Sequence, residues 1–308
     1  MISVCIPIHN YDVLPLAESI IAQGGDVELV CIDDGSSPEF IERNRPIEKM
    51  GKYIVLGENV GRARVRNLFL EHTQGDWLLF LDNDSEVPEN FLETYHSTLD
   101  TQPSFDVIVG GRIYDERGNN REHGLRYLYG TRVESQTAAV RSQHPYKSFM
   151  TNNFVVRRSV LEQIGFDSRL CQYGHEDTLF GYRLEQQRVP ILHIDNAVVN
   201  GYVETNEEFL QKTVEGVGSL VQIYSFMRDD ADFCRSVRLL KAYEKVKRWH
   251  LQGIVLHIFR TIQKKLEKNF FSGNGLSLNK FNFYKLGTFI KKLPPTTPRL
   301  QQSPVYYI

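Results

Sequence analysis

The stretch Leu78-Leu79-Phe80-Leu81-Asp82-Asn83-Asp84-Ser85-Glu86, LLFLDNDSE, runs four large apolar residues straight into a cluster of carboxylates. A near-continuous apolar run of this length reads as a strand buried on both faces, the habit of parallel sheets covered by helices. Two carboxylates two residues apart repel unless a cation or hydrogen bonds lie between them, so a divalent ion is one natural partner for Asp82 and Asp84. The competing reading is local: Asp84 or Ser85 would cap a helix begun by Pro88.

Upstream, short apolar runs alternate with helical patterns. Strands are expected at Ile2–Ile8, Val27–Ile32, Tyr53–Leu56 and Trp77–Leu81, and helices near Asp12–Gln23, Pro38–Arg45, Gly61–His72 and Pro88–Leu99. This βαβα order predicts an α/β fold with a mostly parallel sheet flanked by helices. Ligands bind such sheets beyond the carboxyl ends of the strands. That rule gathers Pro7 to Asn10, Asp33 to Ser37, Glu58 to Gly61 and Asp82 to Asp84 on one rim.

With 308 residues, 41% of them hydrophobic, the chain can bury a full core in one large domain or two. A net charge of −2 gives no electrostatic footprint for nucleic acid. The four cysteines, Cys5, Cys31, Cys171 and Cys234, have no metal-type spacing and fit free thiols in a reducing cytoplasm. The start, MISVCIPIHN, reads as a first strand and lacks the basic and apolar regions of a signal peptide. The apolar run Trp249 to Phe259 is far short of the roughly 20 residues a bilayer span requires.

From Ser104 to Tyr146 the pattern loosens and reads as an insertion or a long surface segment. Regularity returns with a strand and short helix in 148–167, a loop opening a helix in 173–187, a strand in 189–195 and a helix from Thr205 to Met227. Between Arg235 and Lys292 there are 14 Lys and Arg against 2 acids. Leu251, Ile254, Val255, Ile258, Ile262 and Leu266 recur there at helical spacing. Such a basic amphipathic helix either lies on an anionic membrane surface or packs on the preceding domain. The tail LPPTTPRLQQSP (293–304) reads as extended. The expected division is therefore 1–228, with halves 1–103 and 104–228, followed by a basic helical region 229–308.

Three further clusters belong to the rim chemistry. Asp33-Asp34-Gly35-Ser36 offers acceptors for a base edge or ribose hydroxyls, or an ordinary Asp-Gly turn. Arg62, Arg64 and Arg66 begin a helix, where cations oppose the dipole and a phosphate would justify them. In GHEDTLFG (174–181), Glu176 and Asp177 either cap a helix or supply a general base. A phosphohydrolase of the haloacid dehalogenase type would instead use Asp82 as nucleophile. That pattern continues to Thr or Val where Glu86 stands here, and it comes on a first strand rather than a fourth.

Taken in order, IPIHN (6–10), IDDGSS (32–37), ENVGRARVRN (58–67), LDNDSEVP (81–88), TNNFVVRR (151–158) and GHEDTLFGYRL (174–184) resemble the family 2 glycosyltransferases of bacterial polysaccharide clusters. HIDNAVVNGYVETNEEFLQKT (193–213) and KFNFYKLGTFI (280–290) extend the likeness over nearly the whole chain. The resemblance implies a GT-A fold whose Rossmann-like half, 1–103, binds a nucleoside-diphosphate sugar, most often a UDP-sugar. It implies transfer with inversion to a hydroxyl of a saccharide or lipid-linked saccharide. The expected location is the cytoplasm, with the basic C-terminal region either peripheral on the inner face of the cytoplasmic membrane or packed on the domain. By the same resemblance Pro7, Asn10, Asp33 and Asp34 line the nucleoside pocket, and Arg66 reaches toward the nucleotide. Asp82 and Asp84, around Asn83, form the DxD that holds Mn2+ or Mg2+, with Asp84 the more direct ligand. Asn152 and Asn153 contact the donor sugar or its phosphates. Asp177 is the catalytic base, with Glu176 holding the acceptor or sharing that role. Relatives often carry a His where this chain has Asn200-Gly201, which leaves the third metal ligand open. A non-catalytic nucleotide-sugar binder is the remaining alternative on this scaffold.

Overall fold

The computed structural model describes residues 1–114 and 116–294. Its first half alternates β1 (Ile2–Ile8), α1 (Leu14–Ala22), β2 (Val27–Asp33), α2 (Pro38–Asn44), β3 (Lys52–Val55), α3 (Arg62–His72), β4 (Trp77–Leu81), β5 (Ser85–Glu86) and α4 (Phe91–Thr101). The second comprises β6 (Val107–Val109), β7 (Arg112–Ile113), α5 (Gly124–Tyr129), α6 (Ala138–Arg141), β8 (Asn153–Arg157), α7 (Arg158–Ile164), α8 (Glu176–Gln186), β9 (Ile191–His193), β10 (Val198–Asn200) and α9 (Asn206–Met227). Four helices follow: α10 (Ala231–Ser236), α11 (Arg238–Arg248), α12 (Gln252–Phe271) and α13 (Leu278–Lys292). The segment read as an extended tail lies, from residue 295 on, outside the described residues.

Among the described residues the main sheet has seven strands in the order β3-β2-β1-β4-β8-β6-β9. All are parallel except β8, which runs antiparallel to β4 and β6. The apolar run of β4 behaves as its sequence demands: Leu78, Leu79, Phe80 and Leu81 are wholly buried, two to each face. The reversal of β8 matters for the site. It puts Asn153 opposite Leu81, so the start of β8 meets the end of β4 on the same rim.

Two expectations need correction. The segment 104–146 is not a surface insertion, because Val107, Ile108 and Val109 form a fully buried strand of the main sheet. Three residues are too short to announce a strand by period. The helix after the DxD starts at Phe91, not Pro88, and its N-cap residue Asn90 makes no side-chain cap. Ser85 lies in β5, which pairs with β10, and β10 with β7, in a second three-stranded sheet. Capping therefore does not explain the carboxylates.

The C-terminal helices pack on the domain. Leu240, Tyr243, Phe289 and Ile290 join Phe80, Phe154 and Phe180 in one core, and Phe259, Phe270 and Phe281 enclose Leu125 and Phe209 in another. No helix among the described residues is long and apolar enough to cross a membrane. All four cysteines are free, and only Cys171 is exposed.

Gly287 lets α13 approach α12, since a Cβ there would lie 2.2 Å from Cγ of Phe259. Alanine gains up to about 1 kcal/mol of helix propensity but forces an overlap costing about 1–3 kcal/mol. Gly287→Ala should thus lower stability to urea in one cooperative transition, and an unchanged midpoint would contradict this packing.

Candidate functional site

The ends of β1 and β2 are laced together by side chains. Asn10, at φ 49°, receives the Ser37 N–H on Oδ1 at 2.8 Å and donates its own N–H to Ser36 Oγ at 2.8 Å. His9 Nδ1 lies 2.9 Å from the Asp34 carbonyl. Asp34 accepts from Val60 N at 2.6 Å and Gly61 N at 3.0 Å, pinning the loop before α3 to the rim. Gly35 and Gly61 make that approach possible. Both have positive φ, and a Cβ on Gly35 would sit 2.6 Å from Asn59 N. Asp33 is fully buried beneath, accepting from Ser36 N at 2.7 Å and Tyr53 OH at 3.1 Å. Pro7 is half-buried in β1, beside Ile32.

At the centre stands Arg66, 1% exposed. Its Nη2 donates to Asp82 Oδ1 at 3.2 Å and its Nη1 to Glu176 Oε1 at 3.3 Å. One guanidinium thus joins the DxD to the GHED segment. The other two arginines serve differently: Arg62 lies over the Tyr173 ring at 4.6 Å, and Arg64 donates to the Ser168 carbonyl. Burial would raise the carboxyl of Asp82, yet Arg66, with Arg62 and Arg112, holds it below the usual range.

The small sheet delivers Asp84 its neighbours. Pairing of β10 with β5 and β7 brings Asn200 and Arg112 beside it. Arg112 donates to Asn200 Oδ1 and lies 3.8 Å from Asp84 Oδ1 and 3.9 Å from Glu134. Burial pushes the Asp84 carboxyl up, opposed by Arg112 and reinforced by Asp82. The Asn200 oxygen, a candidate third metal ligand, is therefore taken by a guanidinium. No cluster of three or more His, Cys, Asp or Glu suited to a metal occurs among the described residues. The donor set still fits Mn2+ or Mg2+, which is commonly held by one or two carboxylates plus substrate phosphates and water. Unpartnered buried atoms nearby suit a polar ligand: Arg66 Nε, Arg112 Nε, Ser85 Oγ and both side-chain ends of Asn152. Asn152 is next to the DxD, its carbonyl accepting from Asp82 N at 3.1 Å. Asn83 stands half-buried between the two aspartates.

Asp177 opens α8. It does not cap the helix: Oδ1 accepts from the adjacent Thr178 N at 2.6 Å and Oγ1 at 3.2 Å, while Oδ2 has no hydrogen-bond partner among the described residues. The side chain keeps an opening to solvent but is ringed by protein. Burial, then the charge of Glu176, pushes its pKa up to about 7. His175, at φ 67°, precedes it and is lowered to about 4 by burial, so it is neutral at pH 7. On the same side Lys285 of α13 sits over the rings of Tyr129 and Phe281, at 4.9 and 5.0 Å.

One expected donor contact is corrected. Asn153 is fully buried, with Oδ1 accepting from Tyr95 OH and Nδ2 donating to the carbonyls of Gly111 and Asn196. All its strong bonds are made internally, so it fastens β8 to the neighbouring loops. Arg112, Tyr129 and Lys285 escaped the sequence reading, because only strand pairing and helix packing bring them to the rim.

Arg66→Met would leave Asp82 and Glu176 without their counter-charge. It should cost about 3–5 kcal/mol in urea unfolding, with Arg66→Lys intermediate; a loss below about 1 kcal/mol would remove Arg66 from the centre of the site. Asp177 titrates higher folded than unfolded, so its stabilising contribution is present below about pH 4 and is lost as pH rises to about 7. The Tm advantage of Asp177→Asn over the wild type should grow across that window and then level off. A constant difference would count against the raised carboxyl.

The sequence profile described as "Glycosyl transferase family 2" matches residues 3–165. An uncharacterized glycosyltransferase of Haemophilus influenzae is 34% identical over 105 residues, 30% of this chain and 40% of that protein. The chain thus spans well under half of that relative. EpsH of Bacillus subtilis is 21% identical over 240 residues, 68% of this chain and 69% of EpsH. Among solved structures, a mannosyltransferase of Pyrobaculum calidifontis superposes with a TM-score of 0.60 at 14% identity, covering 94% of this chain and 85% of its own. That likeness carries the fold, which is GT-A. With more than half of its length matched by the family profile, the chain belongs to glycosyl transferase family 2.

Proposed function

We propose that the chain transfers a sugar, with inversion, from a nucleoside-diphosphate sugar, most simply a UDP-sugar, to a hydroxyl of a saccharide or lipid-linked saccharide. The observation that carries this reading is the Arg66 bridge, which joins Asp82 of the DxD to Glu176, the neighbour of a carboxyl that burial pushes up to about 7. The Pyrobaculum mannosyltransferase is in complex with GDP-Man and Mn2+. In this chain Asp84, with Asp82, would hold such an ion, whose chemistry is to neutralise charge on a leaving diphosphate.

The chain's own residues do the rest. Arg66 and Arg112 orient the two aspartates, and Arg62 and the unpartnered amide of Asn152 offer donors to donor-substrate oxygens. Oδ2 of Asp177 takes the proton from the acceptor hydroxyl. The acceptor oxygen then bonds to the anomeric carbon as the bond to the diphosphate oxygen breaks, its electron pair leaving with the diphosphate. Attack from the face opposite the leaving group inverts the centre, and one base suffices. The alternative with Asp82 as nucleophile loses support, because that carboxylate is paired with Arg66 and the family is one of glycosyl transfer.

Calorimetric titration of UDP and GDP, with Mn2+ or with chelator, tests donor binding. Asp84→Asn should weaken the metal-dependent part about tenfold or more. Asp177→Asn should retain nucleotide affinity yet lose turnover by about a hundredfold or more, and wild-type kcat/KM should rise with pH through about 7. Full activity in Asp177→Asn would end the base assignment.

A further inference from the structure

Where α11 ends and α12 begins, four large apolar side chains face water: Trp249 is 66% exposed, Leu251 41%, Ile254 58% and Ile258 46%. Leu251, Ile254 and Ile258 follow the spacing i, i+3, i+7 and share one face at the start of α12, with Trp249 just before it. They are not the row that holds the helix in place. That row is Phe259, Leu266 and Phe270, buried against α13 and α5. Single exposed apolar residues are ordinary on a protein surface, whereas a contiguous ridge requires an explanation.

Along α11 and α12 the exposed charges are all basic. Lys245, Arg248, Arg260, Lys264 and Lys265 are all exposed, and none forms an ion pair among the described residues. The two acids of residues 235–292 are engaged elsewhere, Glu244 with Tyr224 and Lys247, Glu267 with Gln263 and Tyr284. A second copy docked ridge to ridge would bring these cations together unpaired. An anionic lipid surface offers both things that the ridge lacks, apolar depth and phosphate charge.

We propose that this corner is a peripheral membrane-docking surface, with Trp249, Leu251, Ile254 and Ile258 entering the headgroup–acyl boundary while the flanking basic side chains meet lipid phosphates. An indole suits that boundary, having an apolar body and a polar N–H. The contact is peripheral, since no described helix can span a bilayer. It does not depend on the donor or on the base, so its failure would leave the proposed reaction untouched.

The test uses the full chain on vesicles of phosphatidylcholine with and without phosphatidylglycerol. The second tryptophan, Trp77, lies under the Arg157 guanidinium, and a Trp77→Phe background leaves Trp249 as the sole reporter. The expected result is flotation with the anionic vesicles and a blue shift of Trp249 emission. Both should be lost in Ile254→Glu/Ile258→Glu, and binding should weaken about tenfold in Lys264→Glu/Lys265→Glu or at high salt. All four positions are solvent-exposed, and an unchanged Tm checks that the variants fold. Absence of flotation at low salt would overturn the proposal, as would flotation that Ile254→Glu/Ile258→Glu leaves intact. A dimer in sedimentation that the same pair dissolves, without vesicle binding, would give the ridge to a second copy instead.

Discussion

A single buried guanidinium holds the candidate site together. Arg66 comes from α3, Asp82 from the end of β4 and Glu176 from the start of α8, and the three meet although 110 residues separate the outer pair in sequence. Taking such charges out of water is costly, and the attraction offsets it only when geometry and hydrogen bonding are good. Arg66 donates to both carboxylates and to the Arg62 carbonyl, with the Phe166 ring 5.7 Å away. The bridge therefore fixes where the DxD stands relative to Asp177. It also keeps Asp82 ionised while burial and Glu176 push Asp177 toward neutrality, so neighbouring acids acquire different roles from their surroundings.

Two features of the sheets make that meeting possible. The reversed strand β8 turns its first residues toward the rim where the parallel strands end, bringing the 152–153 backbone to Asp82. The small sheet of β5, β10 and β7 then carries Asn200 and Arg112 to Asp84, with Gly201 N donating to the Asp84 carbonyl at 2.7 Å. A guanidinium thus stands beside the aspartate expected to face a cation. Behind this rim the C-terminal helices complete the aromatic core around Phe209 and Phe281, and α13 places Lys285 on the Asp177 side.

Much of the fold was legible because its strands are long and apolar or tied to turn signals. LLFL had to be a buried strand, and the order of strands and helices through His72 follows its period closely. Residues 107–109 were not legible, since three apolar residues look alike in a loop and in a central strand. Within the site, charged residues in unusual places were the readable part: Arg66 at a helix start, Asp82 and Asp84 after a buried strand, Asp177 after His175. Asn153 misled because sequence cannot tell an amide that faces a ligand from one saturated by Tyr95 and two carbonyls. Asp33 and Asp34 read equally as ligand acceptors or as an ordinary turn, and in the fold their oxygens brace the rim. Arg112 gave no local signal, because its position depends on the register of a two-residue strand.

The most direct test of a one-base, inverting site is the configuration of the sugar it first releases. An α-linked nucleoside-diphosphate sugar that binds the protein is incubated without acceptor, so that water takes the acceptor's place, and the product is followed by proton NMR before mutarotation. The account predicts that the β anomer appears first, and that Asp177→Asn abolishes its formation. The α anomer appearing first, or hydrolysis undiminished in that variant, would contradict it.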